Sequence, residues 1–233
     1  PLLSQALERE NFDDDFSELA VAAQGLAKAA NILSDKFTLV ATNVPYLGRP
    51  KQVEDLREYC ERTYPDSKAD LSTVFIQRTL RLVQTGGATA LVTPQNWLFL
   101  PKDKKLRRAI LQQSSISYVV RLGSRAFQTA MWDFGTILFC TTKATPERNG
   151  RFASGDTSSL NDAASKAAEL SFTGLAYLQQ QEQLLNKDYV ITSGETGSLK
   201  LLSDYATATQ GASMVDLKRF RLNFWEIDDI ARD

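Results

Sequence analysis

Four consecutive residues could do chemistry: Asn43-Val44-Pro45-Tyr46, set directly after the short apolar, β-prone run Phe37-Thr38-Leu39-Val40-Ala41. Such a run reads as a buried strand, and Pro45 and Gly48 make the next segment a loop. In open α/β sheets, ligands bind outside the carboxyl ends of the strands. A neutral amide, a rigid proline and an aromatic ring in that place suit a flat nitrogenous ring. The Asn43 amide offers an acceptor oxygen and a donor NH2 group. The main-chain carbonyl of Val44 offers a second acceptor, and Tyr46 a π-face. Two converging acceptors would take both N–H bonds of an exocyclic amino group, keep electron density on its nitrogen and make it a better nucleophile. The same residues also make an ordinary Asn-Pro turn beside a surface tyrosine, and the four alone do not decide between the two.

Composition removes several other chemistries. The 233 residues include no histidine, which excludes Ser-His and Cys-His nucleophile pairs and histidine-based metal sites. Cys60 and Cys140 are far apart and form no Cys-x-x-Cys pattern. They supply neither a zinc site nor a disulfide framework, and read as buried free thiols in a reducing compartment. No metal is expected. No membrane is expected either, because no apolar run approaches the roughly 20 residues of a membrane span. The start, Pro1-Leu2-Leu3-Ser4, lacks the basic region of a signal peptide, so the expected location is the cytoplasm. The missing initial Met reads as an excerpt of a longer polypeptide. The net charge of −1 is unevenly spread: residues 41–110 carry twelve basic and seven acidic side chains, whereas residues 1–40 carry three and seven. A basic middle third suggests a local anionic partner, or else a solvated charged face.

These residues need a scaffold. Ser17–Leu33 is Ala- and Leu-rich and reads as a helix, with Asp13-Asp14-Asp15 suited to its N-terminus. After the loop, helices are predicted at about 52–61 and at 70–83, the second stopped by Gly86-Gly87. Ala88–Thr93 is a strand ended by Pro94, residues 102–113 a basic amphipathic helix, and 116–122 and 135–143 strands. Strands alternating with helices imply an α/β fold with a mostly parallel sheet and helices on both faces. The last two strands, joined by a short link, form an antiparallel edge pair. Residues 144–165, rich in Ser, Thr, Asn, Asp, Gly and Pro, read as a linker. Residues 166–187 read as helical, and 188–233 carry weaker order signals.

In this context the loop resembles that of the amino-group DNA methyltransferases, which reads Asn/Asp/Ser-Pro-Pro-Tyr/Phe/Trp after a strand. The resemblance continues through Gln84-Thr85-Gly86-Gly87, Pro94-Gln95-Asn96-Trp97-Leu98, Leu106-Arg107, Leu122-Gly123, Ala126-Phe127 and Thr136–Thr142, in the family's order. It is most similar to the adenine N6 enzymes of restriction-modification type, in particular the large single-chain type IIG and phage-exclusion (BREX) enzymes. The resemblance implies the C-terminal half of a Rossmann-like sheet that depends on S-adenosylmethionine (SAM), acting on double-stranded DNA. Asn43 and the Val44 carbonyl would bind the target amino group. Pro45 would stiffen the loop, and Tyr46 and Phe127 would stack on the two faces of a flipped adenine. Arg49 and Lys51, beside the loop, are the better candidates for DNA phosphates. Lys102, Lys104, Lys105, Arg107 and Arg108 are either further contacts or a solvated outer face. One departure is Val44, where the family has Pro; a main-chain carbonyl is supplied equally by both.

Other features of the family are absent. Its SAM-binding turn is Gly-rich and lies upstream of the loop, yet no Gly-x-Gly occurs in this chain. The expectation is a fragment of the parent enzyme, inactive alone, with residues 1–36 an N-terminal helical segment and 37–143 the catalytic-loop half. Residues 144–187 would be linker and helix, and 188–233 the start of a target-recognition region, weakly matched at Gln210-Gly211, Arg219-Phe220 and Trp225-Glu226. An exposed half-sheet would favour a dimer. Three alternatives stay open: a non-catalytic DNA-binding or scaffold module on the same fold, a methyltransferase acting on RNA adenine or a protein glutamine, and an α/β domain of unrelated function whose loop match is accidental.

Overall fold

The Ala-rich stretch is helical, as its composition predicts: α1 spans Asp14–Ser34. The computed structural model describes residues 14–127, 134–193 and 205–206, the side chains from residue 21 onward. Its strands and helices lie in one unit, Pro1–Glu195; Thr196–Asp233 form a second, of which Tyr205 and Ala206 are described, beginning in a turn. The matches at 210–226 therefore lie outside the described residues.

After α1 come β1 (Phe37–Asn43), α2 (Glu54–Thr63), α3 (Leu71–Leu82), β2 (Val83–Pro94), α4 (Lys104–Gln113), β3 (Ser115–Gly123) and β4 (Thr136–Thr142). The chain continues through β5 (Arg151–Asp156), α5 (Ala163–Phe172) and β6 (Ala176–Gln179). The six strands form one sheet in the order β1-β2-β4-β3-β5-β6. Alternation of buried and half-buried residues along β2 and β4 marks one packed face. The main core joins Leu91, Ile116, Val119, Ile137 and Phe139 of the sheet to Ile76 of α3 and Leu106, Ile110 and Leu111 of α4. Part of the opposite face is met by α5, whose Leu170 lies near Gly155.

Several expectations change. The sheet is mixed rather than mostly parallel: β1–β2 and β3–β5 are parallel, and the other three pairings antiparallel. The β3–β4 pair is antiparallel as predicted, but it sits inside the sheet, because β4 is inserted between β2 and β3. It is not at an edge because residues whose composition reads as a linker supply β5, which pairs with β3, and β6 comes from the stretch that reads as helical. The buried strand predicted at 37–41 is a half-exposed edge strand, with Leu39 57% exposed, since among the described residues β1 has a neighbouring strand on one side only. Gly86 and Gly87 do not stop α3, which ends at Leu82; they lie within β2.

The glycine at 87 answers a close approach of backbones. A Cβ there would fall 2.9 Å from the Phe37 carbonyl oxygen and 3.1 Å from that of Thr38. Gly87→Ala is therefore expected to push β1 off β2 and destabilise the chain by about 1–3 kcal/mol, the usual cost of overpacking. Urea unfolding checks this; an unchanged midpoint would sink it. Among the described residues, no helix is long and apolar enough to cross a membrane.

Candidate active site

β1 and β2 run parallel, so both carboxyl ends reach the same edge of the sheet, with Asn43 paired to Val92. β4 runs the other way and brings its first residue, Thr136, opposite Pro94 on one side and Gly123 on the other. The end of β3 and the start of β4 thus meet the loop after β1 at one end of the sheet.

Within that loop, Val44 is the anchor. Its N–H donates to the Val92 carbonyl at 3.2 Å, and its side chain is buried in the main core. Asn43 and Pro45, on either side of it, are exposed. Tyr46 packs partly against the core, and its hydroxyl donates to Asn43 Oδ1 over 3.3 Å, a long hydrogen bond. Burial pushes the Tyr46 phenol pKa up, so the group stays protonated and remains a donor.

The far side of the loop is tied to the start of α3. The Leu47 carbonyl accepts from the Leu71 N–H and from Gln52 Nε2, each at 3.0 Å. The Arg49 N–H donates to the Ala69 carbonyl at 3.1 Å, and Gly48 bridges to Asp70. Asp70 caps α3, its carboxylate accepting from the Ser72 N–H at 2.8 Å and the Ser72 hydroxyl at 2.7 Å. The loop is held at both ends before any ligand arrives, which lowers the entropy lost on binding.

One aromatic neighbour is not foreseen from sequence. Phe134, just before β4, lies edge-on to Tyr46 with ring centroids 6.2 Å apart and planes at 63°, a favourable aromatic geometry. It is 54% exposed. Its place two residues before an apolar β-run is the one available signal. Phe127, the residue that the sequence does point to, is 45% exposed and lies beyond the turn that closes β3. Gln95 lies between these strands. Its N–H donates to the Gly135 carbonyl at 2.8 Å, and its side chain fills the space that a Cβ on residue 135 would need.

The basic residues separate into different roles. Arg49 is paired with Glu61, its Nε donating at 2.7 Å, and this pair holds the glutamate carboxyl below its usual range. Lys51 and Lys102 are exposed. Lys104 lies 3.7 Å from Asp188 and Lys105 3.8 Å from Asp66, exposed pairs of little energetic weight. Arg108 lies over the Tyr189 ring at 5.6 Å. Arg107 belongs to neither a DNA-facing nor a solvated surface: it is 0% exposed and donates to the carbonyls of Trp97, Leu100 and Asp188. The reason is its phase on α4, where it shares the inward face with Leu106, Ile110 and Leu111. Cys60 is buried and Cys140 partly buried, both as free thiols.

The sheet and its helices make an α/β fold of Rossmann-like class, with an Asn-x-Pro-Tyr loop at the end of its edge strand. The profile of the Eco57I restriction-modification methylase family matches residues 3–127, more than half of the chain, and the chain belongs to that family. It is 31% identical over 138 residues to the adenine-specific methyltransferase BrxX of Escherichia coli O9:H4 (strain HS), which covers 55% of this chain and 12% of that protein. It is 34% identical over 105 residues to the adenine-specific methyltransferase PglX of Lacticaseibacillus casei (strain Zhang), covering 45% of this chain and 9% of that one. The matched stretch is thus about a tenth of the length of these curated relatives. Among solved structures, a nuclease-deletion mutant of the type ISP restriction-modification enzyme LlaGI, in complex with a DNA substrate mimic, is similar with a TM-score of 0.52 and 13% identity. That match covers 76% of this chain and 17% of that one.

Proposed function

We propose that this chain forms the target-base half of an enzyme that transfers a methyl group from SAM to the N6 amino group of an adenine flipped out of duplex DNA. Its setting would be restriction-modification or phage defence in the cytoplasm. The observation that carries the reading is the loop itself: Asn43 exposed beside a buried Val44, at the carboxyl end of a parallel strand, with Tyr46 bonded to its amide oxygen. The names of BrxX and PglX support adenine as the target. The DNA mimic bound to LlaGI supports DNA as the partner.

Asn43 Oδ1 and the Val44 carbonyl accept the two N–H bonds of the amino group, which keeps electron density on its nitrogen and makes it a better nucleophile. Pro45 restricts the loop. Tyr46 stacks on one face of the base and Phe127 on the other, while Phe134 packs against the edge of Tyr46 and limits its ring orientation. Base–aromatic stacking is worth about 1–3 kcal/mol per base, comparable with the cost of unstacking. Lys51 and Lys102, with Arg49, Lys104 and Lys105 drawn from their acidic partners, contact phosphates. The chain has no Gly-x-Gly turn of the kind that binds SAM in the enzymes it resembles. The chain by itself is accordingly expected to transfer no methyl group.

Tritiated SAM, duplex DNA and a polypeptide carrying this chain together with a donor-binding segment provide the test. Label recovered as N6-methyladenine after digestion is the expected result. Intact DNA binding without transfer would turn the reading to a non-catalytic DNA-binding module. Label on RNA or a glutamine amide would change the substrate class. The open edge of β1 also supports self-association of the isolated chain. Light scattering is expected to give a dimer, and a strictly monomeric mass would remove that part.

A further inference from the structure

The end of β3 is held from outside through four consecutive carbonyls. The Arg121 carbonyl accepts from the Thr157 N–H at 2.8 Å, and that of Gly123 from the Thr136 hydroxyl at 3.4 Å. The carbonyls of Leu122 and Ser124 both accept from one ammonium, Lys166 Nζ, the second at 2.8 Å. Lys166 lies on α5 and is 2% exposed. The turn it grips is unusual: Gly123 has φ 69° and Arg125 φ 55°, in the left-handed region. A Cβ on Gly123 would fall 2.8 Å from Ser158 Cα, so the turn is pressed against the segment leading into α5.

An ammonium is an expensive group to bury. Desolvation pushes the Lys166 pKa down, opposed by Asp156 and Asp162 nearby. For stability alone, an apolar side chain of similar volume often serves as well or better. What an apolar side chain cannot do is hold two carbonyls of a strained turn in fixed directions. That turn leads within three residues to Phe127, at the end of the sheet where Asn43 lies.

We infer that Lys166 is a positioning residue for the base site: from α5, beyond the stretch that matches the family profile, it sets the 122–125 turn that presents Phe127 to the flipped base. This rests on the base-flipping reading proposed above.

The test uses a polypeptide that joins this chain to a donor-binding segment, on two duplexes: adenine at the target position for kcat, and 2-aminopurine there for emission. Lys166→Met is expected to keep DNA affinity within about twofold and to lower kcat about 10–100-fold, the scale of a small misplacement at a reacting centre. Its 2-aminopurine emission is expected to match that of Phe127→Ala. The double variant is expected to lose no more than Phe127→Ala alone, because both act through one contact. Amide exchange at Ser124–Phe127 is expected to rise about tenfold. A wild-type kcat and emission in Lys166→Met, or losses that multiply in the double variant, would overturn the inference. Should the Met variant fail to fold, Lys166→Gln keeps an NH2 donor. Its expected kcat is intermediate, and a wild-type kcat with only a lowered Tm overturns the assignment. A wild-type polypeptide that transfers no methyl group sinks the functional reading, whereas unchanged exchange at 124–127 sinks this one alone.

Discussion

Asn43→Ala, in a polypeptide that supplies the donor site, is expected to lower methyl transfer to adenine about 10²–10³-fold and leave DNA affinity within about twofold. The magnitude is that of removing one preorganised hydrogen-bonding group aimed at a reacting centre. The reason is local. Val44 stays plugged into the core and its N–H stays on Val92, so the backbone keeps its course and only the amide is lost. The Val44 carbonyl then takes a single N–H, and the other turns to solvent or to nothing. Tyr46 also loses its partner Asn43 Oδ1, which frees the ring to rotate. Asn43→Asp keeps two acceptor oxygens and is expected to lose less. Single-turnover transfer with labelled donor separates these outcomes from slow product release. An alanine variant with a wild-type single-turnover rate would remove Asn43 from the chemistry.

The largest stability effect is expected at Arg107. Its guanidinium sits in the core and reaches Trp97 at 2.6 Å, Leu100 at 2.8 Å and Asp188 at 2.7 Å. These carbonyls belong to the segment after β2, the approach to α4, and a residue 81 positions away. Arg107→Met fills much of the volume but leaves the Trp97 and Asp188 carbonyls without this donor, while the Leu100 carbonyl keeps the Asp103 N–H. At about 1–3 kcal/mol for a buried unsatisfied group, with the Trp97 contact buried and that of Asp188 partly so, the loss is expected to be about 2–4 kcal/mol. Arg107→Lys should not rescue it, because a single ammonium lacks the planar fork that reaches divergent acceptors. Urea denaturation with matched slopes checks both variants. A loss below about 1 kcal/mol for methionine would mean that water or relaxation satisfies those carbonyls.

How much of the molecule is legible in its sequence depends on the range of the interactions involved. β4 falls within the predicted bounds because its run of apolar and β-branched residues is a local property, and α3 is legible from its apolar residues. The loop at 43–46 announces itself through residue types that a strand end and a turn require. β5 does not: Arg151-Phe152-Ala153-Ser154-Gly155-Asp156 carries one large apolar side chain and becomes a strand by pairing with β3 more than thirty residues earlier. The edge status of β1 likewise depends on which strands lie beside it, not on its own apolar run. Arg107 groups with its basic neighbours in sequence because charge is visible along the chain, whereas the phase that turns it inward appears only when α4 is packed. Phe134 escapes for a related reason: its contact with Tyr46 joins residues 88 positions apart across the sheet.

The parallel pairing of β1 with β2 has a consequence for biosynthesis. Asn43 finds its partner at Val92, so about fifty residues must leave the ribosome before the loop at 43–46 can settle. At about 5–20 residues per second this takes roughly 2–10 s, and throughout that interval the nascent β1 presents an unpaired backbone with Leu39 and Val40 uncovered. Synthesis is therefore the period in which this segment most needs a chaperone, and slowing translation before Val83 would lengthen that vulnerability.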